Sequence, residues 1–319
     1  MTGYPLAYAA LAARDPAAAC RFLGEGLALP CTDRSLGDRT VACFAAGRAQ
    51  VMVFDVDDPY LEAPRFPGVH HMALAHPDPS AAAARHALPI AAQCEAPDGH
   101  RAVALDPAAT SGIRTRLVTP YEPAPNAGPI TRVDHLGIAS LDDDACIDVF
   151  CRNLGCPLES RQTDLELRHV TESFVSDRYG AVYHARPPEI LGGLRGAFIT
   201  IGDSELEVMS DYDSSLTPAE RLGEGAGNTK GDQSAIAKFL ARRGPGLAHI
   251  AFATPDIDAV LGGLAEGGWR LIDRQGRPGG RGSRIGFIHP ANFGGGLLIH
   301  LVEPSPEGAH PPSSSRASG

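Results

Sequence analysis

Hydrophobic and polar residues follow the same order along four stretches of the chain. Each stretch begins with an alternating apolar strand, continues with a segment whose apolar residues recur at helical spacing, and ends with strands separated by Gly-containing turns. The helical segments begin at Asp-Pro or at a run of Asp, and one of them begins after Asp256 and stops at Gly267 and Gly268. The pattern therefore predicts four βαβββ units. Because one unit cannot bury its sheet alone, we expect the units to pair.

The four predicted units fall into two halves joined by a linker. The first half spans residues 1–122, and the second spans residues 130–305. Between them lies the stretch EPAPNAGP, whose Pro and Gly content is typical of a short linker. Residues 306–319 include too few apolar side chains to pack, and we expect them to be disordered. The sequence thus predicts two domains and a tail.

The second half carries metal-binding side chains at equivalent positions of its strands. They are His135 in DHLGIA, Glu207 in ELEVM, His249 in AHIAF and His300 in LLIHLV. The matching positions of the first half are Tyr8, Met52, His71 and Arg116. A carboxylate such as Glu207 in an apolar strand needs a partner when it is buried. We therefore predict one metal site in the second half and a metal-free, structural first half.

The net charge and the composition of the chain limit the kinds of molecule that we expect it to bind. The chain has 28 Lys and Arg against 38 Asp and Glu, a formal charge of -10, which opposes general attraction to nucleic acid or to an anionic membrane. No apolar run approaches the roughly 18 residues of a membrane span, and the N-terminus lacks a signal-peptide pattern. Seven cysteines include no CxxC pair. We expect a cytoplasmic protein with a small-molecule substrate and with neither a nucleic-acid nor a membrane partner.

These motifs resemble the vicinal oxygen chelate superfamily, which includes glyoxalase I, methylmalonyl-CoA epimerase and extradiol dioxygenases. The stretches SAIAKFLARRGPGLAHIAFATPDID and IGFIHPANFGGGLLIHLVEP are most similar to the epimerases, whereas the four-unit length resembles the two-domain dioxygenases. The resemblance implies an α+β fold in which the units pair into two domains. Each domain would be a cupped antiparallel or mixed sheet with helices outside, and the second cup would hold the metal. The sequence leaves open whether the protein forms a homo-oligomer.

The ligand set indicates the type of chemistry. Three imidazoles and one carboxylate suit Fe, Mn, Co, Ni or Zn, and they leave a divalent ion with net positive charge. The resemblance implies a metal-dependent enzyme that chelates a small oxygenated substrate through two oxygens and stabilises an enolate-type intermediate, as an epimerase, isomerase or lyase does. One alternative is a non-haem Fe(II) dioxygenase that cleaves a ring or acts on a 2-oxoacid. Another is a protein that binds a small molecule and confers resistance.

The second half also contains two long insertions, which we expect to shape a pocket. The first insertion contains Tyr183 and His184, which are candidate substrate-binding residues. Glu189 follows in the region where the epimerases carry a proton-transferring glutamate, so it is the candidate catalytic base, although a solvated turn residue is the plain alternative. An Arg-rich loop near residues 270–284 either binds an anionic substrate group or is simply an exposed charged loop.

Overall fold

The computed structural model describes residues 4–122, 128–212 and 229–306. The predicted disordered tail lies outside the described residues, apart from Pro306. Among the helices that these residues form, none is both long enough and apolar enough to cross a bilayer.

The first half folds into one sheet with two flanking α-helices among its described residues. Its elements are β1 (Leu6–Ala13), α1 (Pro16–Arg21), β2 (Cys31–Leu36), β3 (Arg39–Ala46), β4 (Ala49–Asp55), β5 (Gly68–Ala75), α2 (Pro79–Arg85), β6 (Ile90–Ala96), β7 (His100–Leu105) and β8 (Thr115–Val118). A π-helical turn, Phe22–Gly26, continues α1.

The second half repeats this order and adds a hairpin and a helix. Its elements are β9 (Arg132–Ala139), α3 (Asp143–Ile147), β10 (Leu158–Arg168), β11 (Thr171–Ser176), β12 (Gly180–Ala185), β13 (Glu189–Ile201), β14 (Ser204–Asp211), α4 (Thr229–Arg243), β15 (Gly246–Ala253), α5 (Ile257–Glu266), β16 (Arg277–Pro278), β17 (Arg284–Ile288) and β18 (Ile299–Glu303). A π-helical turn, Asp148–Asn153, continues α3.

The two sheets have the same topology. The first has the strand order β2-β3-β4-β1-β5-β8-β7-β6, and the second has the order β10-β13-β14-β9-β15-β18-β17-β16. In each sheet the first strand of one unit pairs antiparallel with the first strand of the next, β1 with β5 and β9 with β15. The predicted α+β fold of four βαβββ units paired into two curled mixed sheets is therefore confirmed. The boundary of the two domains at the linker stays a prediction.

Aspartate caps fix where the helix of each unit begins. The side chains of Asp15, Asp78, Asp142 and Asp256 each accept a hydrogen bond from the backbone N–H three residues further on, at 2.9 to 3.1 Å. Such a cap contributes about 0.5–2 kcal/mol, so the Asp signals in the sequence have a direct energetic basis.

One hydrophobic core joins the two halves. Phe22, next to α1 of the first half, has its ring centroid 5.0 Å from that of Trp269 and 5.1 Å from that of Phe293, both in the second half. The cluster of buried residues around them includes Leu11 of β1 and Phe252 of β15. Each half therefore covers apolar surface of the other, which holds the second sheet in a fixed position.

The first insertion forms a projecting arm. In the arm, residues 167–190, β11 pairs with β12 as a separate two-stranded sheet beyond the ends of β10 and β13. Large apolar side chains of the arm are exposed, among them Phe174 at 59% and Tyr179 at 76%. The arm extends away from the sheet instead of packing onto it.

Candidate metal centre

Adjacent strands bring the four predicted ligands onto one face of the second sheet. His135 of β9 pairs with Ala251 of β15, and Ala251 pairs with His300 of β18. One row further along, Glu207 of β14 pairs with Gly137 of β9, and Gly137 pairs with His249 of β15. Side chains two positions apart on a strand point to the same face, so both rows project into the same cup. Each row has a small residue between its two ligands.

The three imidazoles converge, and the carboxylate of Glu207 approaches two of them. The Nε2 atoms of His135 and His249 lie 3.2 Å apart. Glu207 Oε2 lies 3.2 Å from the first of these atoms and 3.3 Å from the second. The ring centroid of His300 is 4.9 Å from that of His135 and 4.7 Å from that of His249. One ring nitrogen of each histidine lies within 4.8 Å of those of the other two.

His300 shows that this arrangement fits a cation. The residue is 2% exposed, and neither of its ring nitrogens has a hydrogen-bond partner among the described residues. Burial and then the neighbouring His249 and His135 hold its pKa well below the usual value, so the ring is neutral and keeps a lone pair. An unpaired buried polar group costs about 1–3 kcal/mol, and a bound metal ion would remove that cost.

A glycine makes room for the cluster. A Cβ atom added to Gly137 would lie 2.0 Å from Cε1 and 2.3 Å from Nε2 of His249. The imidazole of His249 therefore lies directly over the backbone of β9, which only a residue without a side chain allows. This position lets the ring reach across β9 towards Glu207.

Asp134 orients His135 from behind. Asp134 Oδ1 accepts a hydrogen bond from Nδ1 of His135 at 2.8 Å, which leaves Nε2 facing the centre. Adjacent strand residues normally point to opposite faces, but here the register with β15 shifts between the pairs of His135 and Val133, so Asp134 occupies a β-bulge. Asp134 also accepts from Arg132 at 2.7 Å and from Arg281 at 3.0 Å.

The electrostatics of the centre favour positive charge. Burial lowers the pKa of His135, but Glu207 and Asp134 outweigh it and raise that pKa to about 9. Burial raises the pKa of Glu207, but His135 and His249 hold it well below the usual value, so the carboxylate is ionised. Two carboxylates around one imidazole stabilise a cation at this point, and a metal ion competes with the proton for it.

A cavity of about 370 Å³ opens over the four ligands. Its walls include Phe198 and Phe287 as well as Asp232 and Arg277. Arg277 donates to both carboxylate oxygens of Asp232, at 3.1 and 3.2 Å, and its guanidinium lies 5.3 Å from the ring centroid of Phe287. The Phe287 ring in turn packs 4.5 Å from that of His300. This chain of contacts ties the start of α4 to the candidate ligands.

The structure does not bring the other predicted site residues to this cavity. Tyr183, His184 and Glu189 lie on the arm and are exposed, and none of them lines the cavity. Glu189 instead forms an ion pair of 3.2 Å with Arg168 at the edge of β10. Their assignment as catalytic and substrate-binding residues stays a prediction, and the structure places them outside this cavity. The sequence placed them by region, and the insertion that carries them projects away from the sheet.

Sequence reasoning missed several groups at the centre. The Arg-rich loop supplies Arg277 and Arg281 to the cavity wall, whereas Arg284 pairs with Asp258 at 2.6 Å outside it. The second insertion supplies Asp232, and its residues 213–228 lie outside the described residues. The sequence contained one usable signal for these groups, which was the concentration of arginine in one loop of an acidic chain.

The matching positions of the first half have the same register but other chemistry. Ala10 pairs with Met52 and with His71, as Gly137 pairs with Glu207 and His249. Tyr8 and Arg116 occupy the places of His135 and His300. The internal repeat predicted from the sequence therefore holds at the level of single residues.

Comparison with known proteins finds a match to the superfamily that the sequence motifs resemble. Residues 193–287 match the Glyoxalase/Bleomycin resistance protein/Dioxygenase superfamily. Uncharacterized protein YqjC of Bacillus subtilis (strain 168) is 39% identical over 71 residues, which are 22% of this chain and 50% of that protein.

Two solved structures, one of about the same length and one of about half the length, are similar to this chain. A mutant of 4-hydroxymandelate synthase from Streptomyces coelicolor superposes with a TM-score of 0.61 at 16% identity, covering 95% of this chain and 93% of that one. Methylmalonyl-CoA epimerase from Mycobacterium tuberculosis is 30% identical, with a TM-score of 0.39, and covers 57% of this chain and 94% of its own. The first of these shares the complete two-sheet fold. The predicted resemblance to the glyoxalase/bleomycin resistance/dioxygenase, or vicinal oxygen chelate, superfamily is thereby confirmed for residues 193–287.

Proposed function

We propose that the protein is a metal-dependent enzyme with one divalent transition-metal ion, Fe, Mn, Co, Ni or Zn, held by His135, Glu207, His249 and His300. Its substrate is a small oxygenated compound bound through two oxygens, and its reaction passes through an enolate-type intermediate, as in epimerisation, isomerisation or elimination. The buried His300, whose two ring nitrogens lack partners among the described residues, is the observation that carries the proposal.

A bound divalent ion would supply the positive charge that stabilises a developing negative charge on a substrate oxygen. The chain supplies the surroundings. Phe198 and Phe287 form apolar walls that exclude water from the substrate, which strengthens the electrostatic interactions in the cavity. Asp134 holds the ring of His135 in one orientation.

Asp232 is our candidate for proton transfer in place of Glu189. It lines the cavity, and burial raises its pKa to about 6 although Arg277 opposes the rise. A carboxyl group that titrates near neutral pH can both accept and return a proton, as a reaction at the carbon next to a carbonyl requires. Arg277 keeps this carboxyl group in place through two hydrogen bonds.

The first test is metal content combined with two reaction assays. We expect one equivalent of metal in the full chain and loss of that metal in His249→Ala. 2-Oxoacids, hydroxyketones and malonyl-type thioesters would then be incubated in deuterated buffer, and exchange of the carbon-bound proton followed by mass spectrometry. Oxygen uptake would be measured in parallel with catechols and 2-oxoacids. Stoichiometric iron with oxygen uptake and no proton exchange would replace the proposal by the dioxygenase alternative.

The role of Asp232 has a matched control. Asp232→Asn should retain metal and lower the exchange rate by at least about 100-fold, the lower end of what a general base contributes. Asp258→Asn also removes a carboxylate that is paired with an arginine, but it lies outside the cavity, and its rate should stay at the wild-type value. Equal rates for the two variants would remove Asp232 from the mechanism.

A further inference from the structure

We propose that a second cavity, between the first sheet and α4 of the second half, binds a small organic carboxylate with an apolar body. The cavity has a volume of about 430 Å³, which falls within the usual range of small-molecule sites. It contains none of the four candidate metal ligands among the described residues that line it. The proposal is therefore independent of the function proposed above.

Arg116 provides the main argument for an anionic ligand. Its side chain is 3% exposed, and its guanidinium stays charged at all relevant pH values. Nη2 donates to Glu62 at 2.6 Å and to the carbonyl of Tyr60 at 3.3 Å, but Nε and Nη1 have no hydrogen-bond partner within the described part of the chain. The guanidinium also lies 4.5 Å from the ring centroid of Tyr60, but a ring face does not accept the in-plane hydrogen bonds of Nε and Nη1. Buried donors of a charged group rarely remain unpaired, so these two atoms need an acceptor. A ligand carboxylate supplies such an acceptor.

Two further arginines make the cavity cationic. Arg114 donates to the carbonyl of Pro64 at 2.7 Å, and Arg243 donates to the carbonyl of Pro67 at 2.9 Å, so backbone contacts fix both guanidiniums at the wall. Among the described lining residues, Glu62 is the one carboxylate that opposes these three arginines. A local positive excess in a chain of formal charge -10 points to an anion as the ligand.

The same cavity is a poor site for a metal ion. Glu62, His70 and His71 are close enough together to hold one. However, the two Nδ1 atoms of the histidines lie 2.9 Å apart and share one hydrogen bond, and Nε2 of His70 donates to the carbonyl of Glu62 at 2.9 Å. Arg116 and Arg114 add positive charge beside these nitrogens, and they repel a cation. The balance of charge therefore favours an anion over a metal.

The remaining walls determine the body of the ligand. Phe66, Val69 and Leu105 of the first half face Phe239 and Leu247 of the second half. The guanidinium of Arg243 lies 5.2 Å from the ring centroids of both Phe66 and Phe239, so one cation is held at the edge of an apolar wall. An inorganic anion would leave this apolar surface uncovered. A carboxylate with an aromatic or aliphatic body fills both parts of the cavity.

The test uses the metal-loaded full chain with benzoate and hexanoate as probes. Benzyl alcohol and 1-hexanol serve as uncharged analogues, and inorganic phosphate as an anion without an apolar body. Binding would be measured by calorimetry, and the arginine Nε–H signals would be followed by ¹⁵N NMR. We expect at least one of the carboxylates to bind and to shift the Arg116 signal, and we expect the alcohols and phosphate to bind at least tenfold more weakly.

Variants assign the binding to this cavity. Arg116→Gln should raise the dissociation constant at least tenfold. Because substitution of a buried arginine can unfold the first sheet, Arg114→Gln provides a second variant with the same expected direction. Arg101→Gln is the control, since Arg101 also donates to a proline carbonyl but lies outside the cavity.

Three results would overturn the proposal. The first is that neither carboxylate binds, or that the alcohols or phosphate bind as tightly. The second is binding that His300→Ala abolishes while Arg116→Gln and Arg114→Gln leave it unchanged, because it would then belong to the metal centre. The third is a second equivalent of zinc that disappears in His70→Ala, which would make this cavity a cation site.

Discussion

Gly137→Ala tests the geometry of the candidate metal centre with one methyl group. The φ angle of Gly137 is not in the left-handed region, so the backbone accepts alanine without strain. The added Cβ, however, would lie 2.0, 2.3 and 2.4 Å from three ring atoms of His249. An ordinary contact begins at 3.4 Å, so the ring has to move by about 1.4 Å or more. We therefore expect the substitution to act on the metal centre by displacing one candidate ligand, His249.

The expected loss of metal affinity follows from the narrow range of metal–ligand distances in metal sites. Metal–ligand distances vary by only about 0.2 Å in well-formed sites, so a displacement of this size removes His249 from coordination. Disturbing even the residues behind a ligand weakens metal binding about 10- to 100-fold. We expect Gly137→Ala to weaken it at least as much, which corresponds to about 1.4–2.8 kcal/mol. The fold should persist, because one extra methyl group in a packed site costs about 1–3 kcal/mol.

The assay is competition for the metal against a chelator of known affinity, together with a thermal unfolding curve of each variant. Gly262→Ala is the matched control, because a Cβ at this exposed position of α5 meets nothing within 4 Å. A double variant Gly137→Ala/His249→Ala sharpens the test. Once the ring is absent, the methyl group should have no further effect on metal affinity. Wild-type affinity in Gly137→Ala would refute the geometry described here.

Three further substitutions examine the centre and its counterpart in the first half. Asp134→Asn should weaken metal binding about 10- to 100-fold by releasing His135 from its orientation, and unchanged affinity in the chelator assay would contradict this role. His300→Glu should retain metal but lower turnover more than tenfold, which corresponds to about 1.4 kcal/mol in the barrier. The reason is that a second negative charge beside Glu207 neutralises the ion. Full turnover at full metal occupancy would refute this electrostatic account. His71→Ala should leave the metal content of the protein unchanged, and loss of metal with the fold intact would refute a metal-free first half.

The sequence alone predicted the repeat and proposed the four candidate ligands. Strand alternation, helical spacing and Asp caps are local signals, and each of them recurs in all four units. Because equivalent units fold in the same way, comparing matching strand positions distinguished the four candidate ligands from the other histidines and carboxylates of the chain. The register of the two sheets places Tyr8, Met52, His71 and Arg116 at the corresponding points.

The tertiary structure decided what surrounds those ligands. The bulge that turns Asp134 towards His135, and the absence of a side chain at Gly137 beneath His249, depend on the pairing of β9 with β15, more than a hundred positions apart in sequence. Asp232 and Arg277 meet because α4 and β16 lie over the same cup. Glu189, which the sequence placed by region, lies on the exposed arm instead. Repeated local patterns determine the units, whereas contacts between distant segments determine which side chains meet, and a single sequence holds no periodic signal for such contacts.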